Sequence, residues 1–105
     1  MSTAKTYPLG ESQRKTCELF KLLAGHEVYG LSPTEIATGL GVNAPWVTRN
    51  LHALATTGFV ERVDGTNRWR LGVALVRIAF TVSTEHTSAK KRLAEVGDRY
   101  SVPLN

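Results

Sequence analysis

The chain has 105 residues, 42% hydrophobic and 21% charged, with 13 Lys and Arg against 9 Asp and Glu. This size and balance predict one packed domain, or a small domain with an attached helix, and exclude a disordered tail. The net charge of +4 favours an acidic partner such as nucleic acid, and the one cysteine, Cys17, excludes an internal disulfide or a cysteine-rich zinc module.

Residues 1–12 read as a flexible polar arm with Lys5, Pro8 and Gly10. It has no apolar core, so it is not a signal peptide. The first helix is expected from about Gln13 to Ala24, with Ser12 as N-cap and Gly25 just past the end. Cys17, Phe20, Leu23 and Ala24 share one face, and Cys17 is expected to be a small core residue.

The second helix has the clearest start signal. Ser32-Pro33-Thr34-Glu35 is a capping box with proline at the first helical position. This helix meets Gly39 and Gly41 after about two turns. A third helix begins between Asn43 and Pro45 and runs to Thr57. Asn43 and Ala44 are both candidate N-caps, because Ala44 precedes a proline. Val47, Leu51 and Leu54 form its buried stripe.

Phe59–Val63 and Arg68–Leu71 are strand candidates joined at Asp64-Gly65. Trp69 and Leu71 are expected to cover the core. A fourth helix is predicted over Val73–Ser83, where only Arg77 and Thr81 interrupt the apolar run before Ser83. The run is too short to span a membrane. Its two apolar faces, Leu75, Ile78, Ala79, Val82 and Val73, Val76, Phe80, exceed what a peripheral helix needs, so a subunit interface is expected. A fifth helix is predicted from Ser88 to Arg99, with Ala89, Leu93, Val96 and Tyr100 on one side. Lys90-Lys91-Arg92 reads as a solvated face.

The order helix, capped short helix, tight turn, longer helix and basic hairpin predicts a mainly α fold with a small β-hairpin. It is that of a winged helix-turn-helix, over residues 13–72, followed by linker and C-terminal helices over 73–105. A recognition helix must bury one face and offer the other to the major groove. Opposite Val47, Leu51 and Leu54 lie Pro45, Arg49, His52 and Thr56, flanked by Thr48 and Trp46. No Asp or Glu occurs between Glu35 and Glu61, so no acid there repels phosphates. The hairpin adds Arg62, Arg68 and Arg70.

Residues 13–79 resemble the DNA-binding domain of the isocitrate lyase regulator (IclR) family of bacterial transcription factors. The resemblance rests on LS-x-TEIA at 31–37, Val47-Thr48-Arg49 with the following leucines, Gly58-Phe59-Val60-Glu61-Arg62, and Arg70-Leu71-Gly72. It implies that Pro45, Trp46 and Arg49 face DNA, that Thr34 sits near the phosphate backbone, and that Thr66, Asn67 and Arg68 approach the minor groove or adjacent phosphates. For Trp46 the residues leave a second placement open, packed against the second helix as partial core. Asn43, Thr48 and His52 complete the expected DNA-binding set. The family commonly has small hydroxyl residues where this chain has Pro45 and Trp46. It also continues into a larger ligand-sensing domain, and Lys90–Asn105 resembles that domain's opening. No small-molecule effector pocket is expected within this chain.

The expectation is a cytoplasmic, bacterial or phage-type regulator. It binds double-stranded DNA as a homodimer through the fourth helix with the first and fifth, with repression favoured over activation. The alternative is a winged-helix protein-interaction module, an adaptor or inhibitor of a nucleic-acid machine, docking through Pro45 and Trp46. No enzyme activity, cofactor or metal site is expected. His26, His52 and His86 are dispersed, and no Gly-rich phosphate loop follows a strand.

Overall fold

The computed structural model describes residues 7–100. Three helices, α1 (Glu11–Leu23), α2 (Pro33–Leu40) and α3 (Ala44–Ala55), precede a hairpin of β1 (Val60–Arg62) and β2 (Trp69–Leu71), and α4 (Val73–Tyr100) follows. This is the expected mainly helical winged helix-turn-helix.

Each helix start has a local cause. At α2, the Ser32 hydroxyl accepts the Glu35 amide at 3.1 Å, and the Glu35 carboxylate accepts the Ser32 amide at 2.9 Å. Such a cap is worth about 1 kcal/mol. At α3, Asn43 is the N-cap and its side chain accepts the Trp46 amide at 2.7 Å. Pro45 then falls in the first turn, where its missing N–H costs nothing. Between them Gly41 closes α2 in the left-handed region at φ 66°.

The first helix starts earlier than the sequence predicts. Gly10 is the N-cap, and the Gln13 side chain accepts its amide at 3.1 Å. Ser12 is inside the first turn and its carbonyl accepts the Thr16 hydroxyl. The buried stripe centres on Leu19 and Leu23. Cys17 lies about 200° around the helix from Leu19, so it is exposed and not a core residue. Of the expected arm, residues 1–6 lie outside the described residues.

One core unites these elements. Leu19, Leu23, Leu31, Ile36, Leu40, Val47, Leu51, Val60 and Trp69 are buried together, with no buried polar side chain among the described residues. The strands pair antiparallel, with Val60 opposite Leu71, Glu61 opposite Arg70 and Arg62 opposite Trp69. Leu31 adds an antiparallel bridge to Trp69, with both amides donating at 2.8 Å. Gly30 makes this bridge possible. It sits at φ 69°, and a Cβ there would lie 2.5 Å from the Trp69 carbonyl oxygen.

The fourth and fifth predicted helices are one element. The polar stretch Ser83–Ser88 has weak helix formers that suggest a break, but no Pro or Gly interrupts residues 73–96. The helix therefore continues for 28 residues, about 42 Å. Among the described residues, no helix is long and apolar enough to cross a membrane. The side chain of Tyr100 and the predicted tail to Asn105 lie outside the described residues.

The two glycines should separate in stability measurements. Gly41→Ala meets open space and should lose only about 1 kcal/mol, the left-handed backbone cost. Gly30→Ala should lose at least about 2 kcal/mol more, because the Trp69 backbone must also move. Urea unfolding of both variants checks the order; equal losses would contradict the close approach.

Candidate nucleic-acid interface

The buried stripe of α3 fixes what its other side presents. Val47 and Leu51 are buried and Leu54 is half-buried. The opposite face, Pro45, Thr48, Arg49, His52, Ala53 and Thr56, is exposed along the whole helix. The spacing of these residues, i, i+3, i+4, i+7, i+8 and i+11, makes one continuous ridge. No acid lies on it. Among the described residues the Arg49 guanidinium forms no ion pair or side-chain hydrogen bond.

Trp46 does not belong to that ridge. It is half-buried and packs against the core. It borders a cavity of about 330 Å³ between the first turns of α1 and the helix-turn-helix turn, shared with Glu11, Ser12, Lys15, Gly41, Val42 and Asn43. The expectation of an exposed Trp46 is therefore corrected. The 100° per residue of a helix carries position 46 off the Pro45–Arg49 face and towards α1. Pro45 alone remains of the apolar docking pair on which the protein-interaction alternative relied.

The wing is held against the core by its arginines. The Arg68 guanidinium donates to the carbonyls of Tyr29 and Gly30, both at 3.0 Å, and pairs with the Glu35 carboxylate at 2.9 Å. It clamps β2 to the start of α2. Arg70 pairs with Glu61 across the hairpin at 3.1 Å and reaches the Glu27 carbonyl at 3.4 Å. The two acids that flank the acid-free segment, Glu35 and Glu61, thus each carry an arginine partner.

Arg62 was named with the basic hairpin but not among the expected DNA-binding residues. It is exposed and, among the described residues, has no partner. Its signal is the strand alternation. Val60 and Arg62 share the core-facing side of β1, so Arg62 emerges at the rim opposite Trp69. The His52 ring meets the Trp69 ring edge-on at 5.2 Å. His52 therefore joins α3 to the wing on the side where Arg62 emerges.

The remaining expected residues are placed as follows. Thr34 is exposed in the first turn of α2, and Asn43 is exposed while its side chain caps α3. Thr66 and Asn67 are exposed at the wing tip. The Thr66 hydroxyl donates to the Val63 carbonyl and accepts the Arg68 amide, which fixes the tip. Asp64 is also exposed there. Among the described residues, no group of three or more His, Cys, Asp or Glu could hold a metal ion.

Three packed helices, a capped turn, an open helix face and a clamped hairpin define a winged helix-turn-helix protein, a class built to place one helix in a DNA groove. Residues 14–64 match the model of the IclR helix-turn-helix domain, and the chain carries that domain. It is 31% identical over 88 residues to the glycerol operon regulatory protein of Streptomyces coelicolor, covering 84% of this chain and 34% of that protein. The crystal structure of Pseudomonas aeruginosa HmgR is similar at 30% identity and a TM-score of 0.61, over 87% of this chain and 40% of that one. A putative ICLR transcriptional regulator from Silicibacter sp. TM1040 gives 25% identity and a TM-score of 0.63, over 77% and 32%. The chain spans about a third of the length of the curated relative it matches.

The Glu35 clamp should be visible in acid. The Ser32 amide, then the Ser32 hydroxyl and the Arg68 charge, hold the Glu35 carboxyl below its ordinary value of 4.5. A group with a depressed folded pKa contributes stability that is complete above its unfolded pKa and lost as pH falls through the folded one. The stability advantage over Glu35→Gln should therefore be full above pH 4.5 and fade below it. Urea midpoints measured from pH 7 to pH 3 check this; a difference independent of pH would contradict the clamp.

Proposed function

We propose that this protein binds double-stranded DNA and regulates transcription, acting as a homodimer on a roughly palindromic site. The observation that carries the reading is the acid-free ridge of α3 with an unpaired Arg49 at its centre. Such a ridge matches the dimensions and charge of the major groove. Pro45 and Ala53 suit contact with thymine methyl groups, and Thr48 and Arg49 supply the polar readout. Arg62, Thr66 and Asn67 lie where the wing would meet the flanking phosphates. Thr34 and Asn43 would contact the backbone on the other side.

Arg68 has a supporting role in this reading. Its charge is already shared with Glu35 and two carbonyls. It orients the wing that carries Arg62, instead of contacting DNA itself. Repression follows most directly, because occupying a promoter site blocks it without a further partner. The role places the protein in the compartment that holds the DNA, the bacterial cytoplasm. No small-molecule effector is assigned to this chain.

Selection from a randomised duplex pool at about 0.15 M salt tests the reading, because non-specific binding is weak there. An enriched inverted repeat is the expected result. Retention without enrichment would indicate a sequence-blind architectural binder, and no retention would overturn DNA binding.

Two arginines should then behave differently on the selected site. Arg49→Ala should weaken specific binding by about 1–3 kcal/mol per half-site and leave random DNA less affected, as loss of a bidentate base contact would. Arg62→Ala should weaken both alike. It should also reduce the log–log salt slope of a dimer by about two, one phosphate per subunit. Fluorescence anisotropy across a salt series separates the two outcomes. Equal losses of Arg49→Ala on both DNAs would leave it only a phosphate role.

A further inference from the structure

Each base edge in the major groove demands its own side-chain chemistry. Adenine is read by a paired amide and cytosine by an acid that accepts from its amine. Guanine is read by an arginine, and thymine by apolar contact with its methyl group. The exposed ridge of α3 carries Pro45, Thr48, Arg49, His52, Ala53 and Thr56, with no acid and no amide. The two amides of the α3 region are committed within the fold. Half-buried Asn50 donates to the Trp46 carbonyl at 2.8 Å, and the Asn43 side chain accepts the Trp46 amide at 2.7 Å. The Thr56 hydroxyl donates to the Ala53 carbonyl at 2.7 Å. The His52 ring is held edge-on against Trp69, on the wing side. Thr48 offers a hydroxyl that pairs with donors and acceptors alike, so it does not tell bases apart.

One cation and two apolar groups remain, and Pro45 stands one turn before Arg49 on the same line of the ridge. That turn is about 6 Å along the axis, close to two base-pair steps of about 3.4 Å. We infer that the ridge recognises the 5-methyl group of a pyrimidine through Pro45, within about two base pairs of a guanine held by Arg49, and that it accepts 5-methylcytosine there as well as thymine. The inference rests on the DNA-binding reading of the preceding section and names the base chemistry of that site.

The Pro45 side chain is a closed apolar ring on a nitrogen without a hydrogen, so apolar contact is all it can offer. Thymine and 5-methylcytosine present it with the same methyl group. They differ at the 4-position and in the purine across the pair. Telling those apart takes the amide or acid that the ridge lacks, and Arg49 is occupied by its own guanine. Cytosine and uracil have no methyl group and leave the ring facing a gap. Methylation of a cytosine at this position therefore turns a weak half-site into a strong one. The same contact that reads thymine reads a covalent mark on the DNA.

Fluorescence anisotropy of the full chain on its selected duplex tests the inference. Each thymine within two base pairs of a half-site guanine is replaced in turn by deoxyuridine, cytosine and 5-methylcytosine, with the pairing purine opposite. At one of these positions deoxyuridine and cytosine should each weaken binding about fourfold per half-site, the worth of one buried methyl group. There 5-methylcytosine should bind within about twofold of thymine. These substitutions leave the protein unchanged, so its folding is not at stake. Pro45→Ser should erase the difference between thymine and deoxyuridine. It should keep the loss caused by 7-deazaguanine at the Arg49 guanine, and circular dichroism verifies its helices. Equal binding of thymine and deoxyuridine at every such position overturns the methyl contact and leaves DNA binding standing. So does 5-methylcytosine that binds as weakly as cytosine, or a selected half-site with no thymine beside a guanine. A difference that survives Pro45→Ser overturns the role of Pro45. A chain that retains no duplex from the pool, or retains all alike, ends the sequence-specific reading itself.

Discussion

Trp69 is the residue on which the rest of the arrangement depends. Its backbone exchanges two hydrogen bonds with Leu31, which ties the hairpin to the segment leading into α2. Its ring is buried with the leucines of α1, α2 and α3. One edge contact reaches His52 on the recognition helix. The indole N–H finds no hydrogen-bond partner among the described residues, at a cost of about 1–3 kcal/mol. Burial of so large a ring offsets a cost of that size. A wing anchored in this way cannot tilt independently of α3, so both present a single surface.

The arginines divide their labour according to this frame. Arg68 and Arg70 are spent within the fold, on Glu35, on Glu61 and on carbonyls of the loop after α1. Their pairing removes the two acids that would repel a phosphate backbone. Arg49 and Arg62 are left outward on α3 and on the wing. The net charge of +4 is therefore a poor guide to binding. What counts is which cations the fold leaves unpaired, and on which side.

Much of the fold was legible because its signals are local. The Ser32 capping box and the Asp64-Gly65 turn each act within four residues, and the structure has both in place; of the two N-caps the sequence left open for α3, it has Asn43. Val47, Leu51 and Trp69 were legible from periodicity. The misplacements have physical reasons. Cys17 was assigned to the core from residue type, but the stripe of α1 is set by Leu19 and Leu23. The break between the fourth and fifth helices was placed across the polar stretch after Ser83, which one continuous helix spans because no Pro or Gly forbids it. Trp46 was favoured as outward because its neighbour α1 is distant in sequence, and the pairing of Arg68 with the start of α2 was not legible for the same reason. Arg62 was named in the hairpin but not singled out from Arg68 and Arg70, since its freedom appears only once those two are seen to be engaged.

The central claim is that one surface, the α3 ridge with the wing rim, meets DNA. An NMR titration of the isotope-labelled chain with its selected duplex tests it most directly. The account predicts amide shifts concentrated at Pro45's neighbours, Thr48, Arg49, His52, Arg62, Thr66 and Asn67, with the outer face of α1 around Cys17 silent. Shifts centred on α1 and the cavity beside Trp46, with the α3 ridge unmoved, would contradict it.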